Sequence, residues 1–377
     1  MTDSPAVDPT AGPTLDPAVR RRLALRNSRR ILSGERPLTI RERLTALAEL
    51  DAADELPDFY AEGGAVARLE ERVAALLGKE DAVYVPSGTM AQQIALRHGA
   101  ELTGHDAVAL HPMSHLERWE RHAYSQLSGL RGLWPTDQPG HFTATELADL
   151  GQPFGTMTIE LPLRDPGFLL PSWDELVELT AAARAAGARV HFDGARLWDT
   201  TPHFGKPLDE IAALADSVYL SLYKTLGSSH GAVLAGDAKL TAYARTWRHR
   251  HGGTLWQNWP AALGALAGLD QLLPRIPDYV THAKLVAEAL STLPGARINP
   301  DPPHTHEFQL YLPHPAEALT AANLELAQTE HTWFASGWTD VAPGLAMTEI
   351  SVRASGLEWT ASDVAEAGRR VLGLAAQ

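Results

Sequence analysis

Residues 191–199 read His191-Phe192-Asp193-Gly194-Ala195-Arg196-Leu197-Trp198-Asp199, and 31 positions after Asp193 a lysine stands in Ser221-Leu222-Tyr223-Lys224-Thr225-Leu226-Gly227. The run Val190-His191-Phe192 reads as a short buried strand with an acid at its carboxyl end. That end is where ligands bind in open α/β sheets. An acid there, followed by an amine after a second buried strand, is the pair that pyridoxal phosphate requires. The carboxylate keeps the pyridinium nitrogen protonated, and the amine forms the Schiff base. A capping aspartate and a surface lysine in a turn are the plain alternatives.

The choice of lysine follows from context. The chain has five: Lys79, Lys206, Lys224, Lys239 and Lys284. Lys79 lies in Gly-Lys-Glu-Asp, Lys206 and Lys239 in polar connections, and Lys284 on an amphipathic helix. Lys224 alone follows a buried strand, and Thr225, Gly227, Ser228, Ser229 and Gly231 behind it are small enough to close around a cofactor. Upstream, a short strand over 82–85 leads into Ser87-Gly88-Thr89 and a helix through Ala91, Ile94 and Leu96. A strand, a small-residue turn and a helix start offer backbone N–H groups and two hydroxyls to a phosphate. Ser-Gly-Thr alone is also an everyday helix cap. Its place ahead of Asp193 and Lys224 favours the phosphate.

Working outward, strands near 107–110, 156–161, 189–192 and 217–220 alternate with helices such as 173–185. We therefore expect an α/β fold with a mostly parallel central sheet covered by helices on both faces. A helix over 260–273 leads out of this layer. Another near 283–293, a strand at 308–312 and a helix at 361–374 predict a smaller C-terminal α+β domain. The division expected is a mobile tail over 1–18, carrying Pro5, Pro9, Pro13 and Pro17, a helical segment 19–57, a large domain 58–274 and a small domain 275–377.

Composition narrows the partners. The 377 residues are 45% hydrophobic and carry a formal charge of −14, so nucleic acid is not an expected partner. The arginines at 20–22, 26, 29 and 30 alternate with Leu23, Leu25 and Ile31 and read as the wet face of a helix. No run of about 18 apolar residues spans a membrane, and the first residues lack a signal-peptide pattern; a cytoplasmic protein is expected. The absence of cysteine excludes disulfides, thiolate catalysis and cysteine-ligated zinc. His304, His306 and His314 are flanked by Pro302, Pro303 and Pro313, which break the element that would aim ligands together, and no metal site is expected.

Several ordered motifs resemble the threonine aldolase and aromatic amino acid β-eliminating lyase family. They are the 58–62 segment Asp-Phe-Tyr-Ala-Glu, Pro86-Ser87-Gly88-Thr89-Met90-Ala91, the 191–197 stretch, and Asp216-Ser217-Val218 leading to Lys224. The likeness covers about 58–237 well and the C-terminal region loosely. It implies a fold type I pyridoxal-phosphate enzyme, with Lys224 as the Schiff-base lysine, Asp193 on the ring nitrogen, and Ser87, Gly88 and Thr89 on the phosphate. Ser114-His115 with Glu120 resembles the family's stretch in which the histidine stacks on the pyridine ring. Arg196 would lie near the cofactor or the substrate carboxylate. Family members form homodimers or homotetramers, so a homo-oligomer is expected.

Four departures strike the substrate end. The family's Glu-Asn-Thr-His-Asn is replaced by Glu160-Leu161-Pro162-Leu163-Arg164, losing a second histidine. Its Arg-Ser-Asp-Thr has become Arg26-Asn27-Ser28-Arg29. An arginine of its glycine-rich stretch is Trp256 here. The C-terminal carboxylate-binding arginine is out of register, with Arg353 its nearest counterpart. The expected partner is a small-molecule amino-acid substrate, and the expected reaction is retro-aldol cleavage of a β-hydroxy-α-amino acid, threonine-like, to glycine and an aldehyde. β-Elimination, transamination and a non-catalytic cofactor-binding protein are the rivals. Candidates for the substrate carboxylate are Arg196, favoured, with Arg353 assisting, and Arg164. His115, His122 or a bound water would take the β-hydroxyl proton.

Overall fold

A computed structural model describes residues 16–377. The expected tail over 1–18 lies, for residues 1–15, outside the described residues. Pro17 already opens a helix, Pro17–Asn27, capped by Asp16, whose Oδ1 accepts from Ala18 N at 2.7 Å. The chain forms two compact units. One takes residues up to Thr39 with Ala289–Arg297 and Leu310–Gln377; the other takes Ile40–Glu288 and Ile298–Gln309. Both are built from non-contiguous segments, whereas the sequence division ran consecutively.

The larger unit is organised by a seven-stranded sheet. Its strands are β1 (Asp81–Val85), β2 (Ala107–Ala109), β3 (Arg131–Leu133), β4 (Thr156–Glu160), β5 (Arg189–Asp193), β6 (Ser217–Ser221) and β7 (Ala232–Gly236), in the order β1-β7-β6-β5-β4-β2-β3. Neighbours from β3 through β6 pair in parallel, and β7 runs antiparallel to both β1 and β6. The α/β expectation therefore holds with one reversal. β7 escaped the sequence reading because Ala-Val-Leu-Ala-Gly is short and small, with no turn residues to mark its ends beyond Gly231 and Asp237.

Alternation along β5 explains its two duties. Val190 and Phe192 join the main apolar cluster with Met157, Ile159, Val218 and Leu220. His191 and Asp193, offset by one, share the other face. Parallel register sets Ser217 beside His191 and Tyr219 beside Asp193. Against that face lies the helix Gly88–Thr103, started by Ser87, whose Oγ accepts from Met90 N at 3.3 Å, and ended at Gly104 in the left-handed region. The helix approaches closely because it presents glycine to the sheet. A Cβ at Gly88 would land on the Tyr219 hydroxyl, and one at Gly99 on Thr156 Oγ1.

The smaller unit carries the helices Pro17–Asn27, Ala316–Thr329 and Ala361–Ala375 and the strands Thr339–Ala342 and Leu345–Ser351. These strands belong to a four-stranded sheet with Glu307–Leu312 and Arg297–Asn299. Arg30 of the basic stretch sits 3.1 Å from Asp363 and over the Trp359 ring, so its charge serves packing.

The glycine contact gives a test. Gly88→Ala should cost about 1–3 kcal/mol by overpacking, seen as a lower thermal midpoint, and Tyr219→Phe in the same chain should recover part of the loss. An unchanged midpoint contradicts the close approach.

Candidate active site

Asp193 closes β5 with its carboxylate buried. Ala195 N donates to Oδ1 at 3.2 Å, and the amide of Gln92, on the second turn of the 88–103 helix, donates to Oδ2. The other end of the Gln92 amide, Oε1, lies 2.7 Å from His191 Nε2, while His191 Nδ1 lies 2.7 Å from Ser217 Oγ. Burial pushes His191 down to about 3, so it stays neutral. With one ring proton, the Nε2–H tautomer donates to Gln92 and the serine hydroxyl donates to Nδ1. The relay Ser217, His191, Gln92, Asp193 orients the carboxylate.

Lys224 is half-buried on the segment after β6. Burial lowers its pKa first and the Arg196 charge second, against the pull of Asp193, Glu160 and Glu307. Those groups therefore lie within electrostatic reach of its ammonium. Lys79 is also lowered, by burial, but its Nζ donates to the Ala215 carbonyl at 2.7 Å.

His115 begins the short helix His115–Arg118. Its backbone N–H donates to Glu160 Oε2 at 2.7 Å, and its Nδ1 lies 3.2 Å from Glu120 Oε1. Gln93, neighbour of Gln92, donates to the other Glu120 oxygen at 3.3 Å. Burial alone would depress the imidazole; the Glu120 bond and the Asp193 charge outweigh it and hold its pKa above the ordinary value. Glu160 ends β4 beside Asp193 in register. Burial, then the Asp193 carboxylate, push it up to about 7. His122 is 62% exposed, with Nδ1 3.4 Å from Glu117.

The arginines separate. Arg196 Nε lies 2.6 Å from Glu307 Oε2, and its guanidinium sits over the Phe168 ring. Arg164 donates its backbone N–H to Glu160 Oε1 at 3.2 Å, and its side chain stands over Trp119 near Asp165. Arg353 belongs to the smaller unit and donates through Nε to Ser351 Oγ at 3.3 Å. Ser87 is exposed, and Gly88 and Thr89 are partly so, at the start of the 16-residue helix.

Gln92, Glu160 and Glu307 carry much of this geometry and were not singled out as site residues. Gln92 had a signal, its spacing three residues past Thr89 on a helix that must touch the sheet. Glu307 had none, since its partner is 111 positions away. Beside Glu307, His306 Nε2 lies 3.3 Å from Asp199 Oδ2, which also accepts from Thr225 Oγ1 at 3.1 Å. Among the described residues, Asp199, His306 and Glu307 offer atoms within 4.8 Å of one another, the spacing a metal would need. Arg196 already supplies positive charge there.

Residues 40–312 match the beta-eliminating lyase family. The chain belongs to that family. Among beta-eliminating lyase relatives, Low-specificity L-threonine aldolase 1 of Arabidopsis thaliana is 29% identical over 242 residues, 62% of this chain and 67% of that one. A crystal structure of a candidate L-allo-threonine aldolase from Listeria monocytogenes EGD-E superposes with a TM-score of 0.88 at 30% identity, covering 95% of this chain and 100% of that one. A candidate aromatic amino acid beta-eliminating lyase/threonine aldolase from Exiguobacterium sp. 255-15 gives 0.87 at 31%, covering 94% and 99%. The fold type I architecture expected from the motifs is thus the fold of this chain.

The His115 pair sets a pH dependence. A histidine whose folded pKa is raised gives stability that is complete below its ordinary value and lost as pH rises through the raised one. The gap in urea midpoint between the wild type and Glu120→Gln should be wide near pH 6 and narrow toward about pH 9. A gap independent of pH contradicts the pairing.

Proposed function

We propose that the protein is a pyridoxal-phosphate-dependent carbon–carbon lyase that cleaves a β-hydroxy-α-amino acid, threonine-like, to glycine and an aldehyde. The observation that carries this is the buried Asp193 carboxylate, oriented by a neutral relay, with a desolvated lysine within its electrostatic reach. The donor set fits the cofactor. Lys224 supplies an amine with lowered pKa, Asp193 a carboxylate for the ring nitrogen, His115 an imidazole for the ring face, and Ser87, Gly88 and Thr89 a helix start for the phosphate. When bound there, pyridoxal phosphate supplies an electron sink for the charge that develops at the substrate's Cα.

The chain's own residues do the rest. Gln92 and Ala195 hold both Asp193 oxygens and would keep the carboxylate fixed for the ring nitrogen. Lys224, with a lowered pKa, reaches the neutral amine needed for attachment at milder pH than a free lysine. The Cα–Cβ bond breaks as the β-hydroxyl loses its proton. We assign that proton to His115, whose Nδ1 is taken by Glu120, leaving Nε2; a bound water is the alternative. His122, exposed against Glu117, is the weaker candidate. Arg196 is the arginine we favour for the substrate carboxylate, with Arg353 assisting and Arg164 turned to Trp119. The named threonine aldolases among the relatives support this reaction over β-elimination and transamination.

We extend the proposal to a homo-oligomer, a homodimer or homotetramer. Ile40, Leu44, Leu56, Phe59 and Trp256 of the larger unit are exposed, more apolar surface than isolated side chains explain. A cytoplasmic location belongs to the same proposal and rests on the sequence alone. Among the described residues no helix is long and apolar enough to cross a membrane.

Two experiments test the reading. After loading with pyridoxal phosphate, borohydride reduction and peptide mapping should place the label on Lys224; label on another lysine contradicts the assignment. Incubation with L-threonine and other β-hydroxy amino acids should release glycine and the matching aldehyde. A 2-oxo acid with ammonia would show elimination instead, and an unlabelled, unreactive substrate pool would leave only cofactor binding.

A further inference from the structure

Arg196 is the arginine nearest the chemistry by sequence, and in the fold it already holds an acid. Its Nε lies 2.6 Å from Glu307 Oε2, and the two side chains are 14% and 10% exposed. Water therefore screens the pair poorly, and each charge depends on the other. A guanidinium grips one carboxylate well through its planar fork. An incoming α-carboxylate would meet a cation already neutralised.

The surrounding charge count sharpens the point. Asp193, Glu160 and Glu307 all act on Lys224, with Arg196 the leading opposing cation. Asp199 lies beside Glu307, within the 4.8 Å cluster. One more carboxylate enters a pocket that is already acidic, so it gains little unless it takes the place of one of these acids. Glu307 is the acid it would replace, because it is the one on Arg196. The fold also provides somewhere for Glu307 to turn. His306, only 1% exposed, shares the same cluster, with Nε2 3.3 Å from Asp199 Oδ2 and Nδ1 in no hydrogen bond. A buried ring nitrogen without a hydrogen bond is costly unless it finds a partner in some state of the protein.

We infer that Glu307 is an in-chain stand-in for the substrate carboxylate. It occupies Arg196 in the resting protein and weakens selection for amino acids over amines that lack the α-carboxylate. This rests on the proposed pyridoxal-phosphate reading, since it takes Lys224 as the point of amine exchange. It makes Glu307 a specificity-determining residue: its charge decides how much an α-carboxylate is worth.

The test compares L-threonine with 1-amino-2-propanol, the same molecule without its carboxylate, by titrating the cofactor absorbance of the loaded protein. Removing the competing charge should raise the preference for the amino acid. In Glu307→Gln the ratio of the two dissociation constants should shift toward L-threonine by about tenfold or more, the scale of one uncompensated charge. Glu307→Asp, which keeps the charge, should stay within about threefold of the wild type. An unchanged or reversed ratio in Glu307→Gln overturns the inference, as does an equal gain in both variants, which would mean that shape and not charge matters. Should the wild type bind pyridoxal phosphate and exchange with both amines while the ratio fails to move, only this inference falls. Should it bind no pyridoxal phosphate, the proposed function falls with it.

Discussion

The Asp193 carboxylate sits at the carboxyl end of a central strand, buried, with a glutamine amide and a backbone N–H on its oxygens. A buried charge of this kind persists only if its donors are fixed and its surroundings supply compensation. The rest of the larger unit reads as that supply. His191 is two residues back, on the same face of β5, and locks the Gln92 amide. Ser217, from the next strand in register, locks His191. Gly88 and Gly99 let the helix bearing Gln92 come near enough to the sheet to reach. Compensating charge comes from Lys224, which follows the strand next to Asp193.

The same arrangement accounts for the acids around it. Glu160 ends the neighbouring strand beside Asp193, and two carboxylates so placed cannot both be comfortably ionised. Glu160 is pushed up to about 7 in consequence, burial contributing most, even though two backbone N–H groups donate to it. His115, tied by its backbone to Glu160 and by its ring to Glu120, keeps a raised pKa in the same field. The ionisation of Lys224 is therefore set by groups on several strand ends and connections at once.

Much of this was legible in the sequence where the physics is local. Strand 189–193 could be read because apolar alternation ends in an acid and a glycine, and the helix Trp173–Ala185 because Ser172 and Glu175 form a capping box at its start. The 87–89 turn was legible as a strand followed by small residues and a helix. What escaped was tertiary. β7 is too small in its side chains to show a pattern. Gln92 gains meaning only once its helix lies against β5. Glu307 meets Arg196 across 111 residues, so nothing near either one announces the pair. The four departures from family pattern pointed to the substrate end, where we propose that Arg196 acts.

The central claim is that the oriented Asp193 carboxylate serves the ring nitrogen of the cofactor. The direct measurement is turnover of Asp193→Asn, loaded with pyridoxal phosphate and assayed by product identification beside the wild type. Removing one partner of a buried charged pair costs about 3–5 kcal/mol. The account predicts that the variant still takes up the cofactor through Lys224 but that its rate falls by about two orders of magnitude or more. A variant that turns over near the wild-type rate would contradict the account.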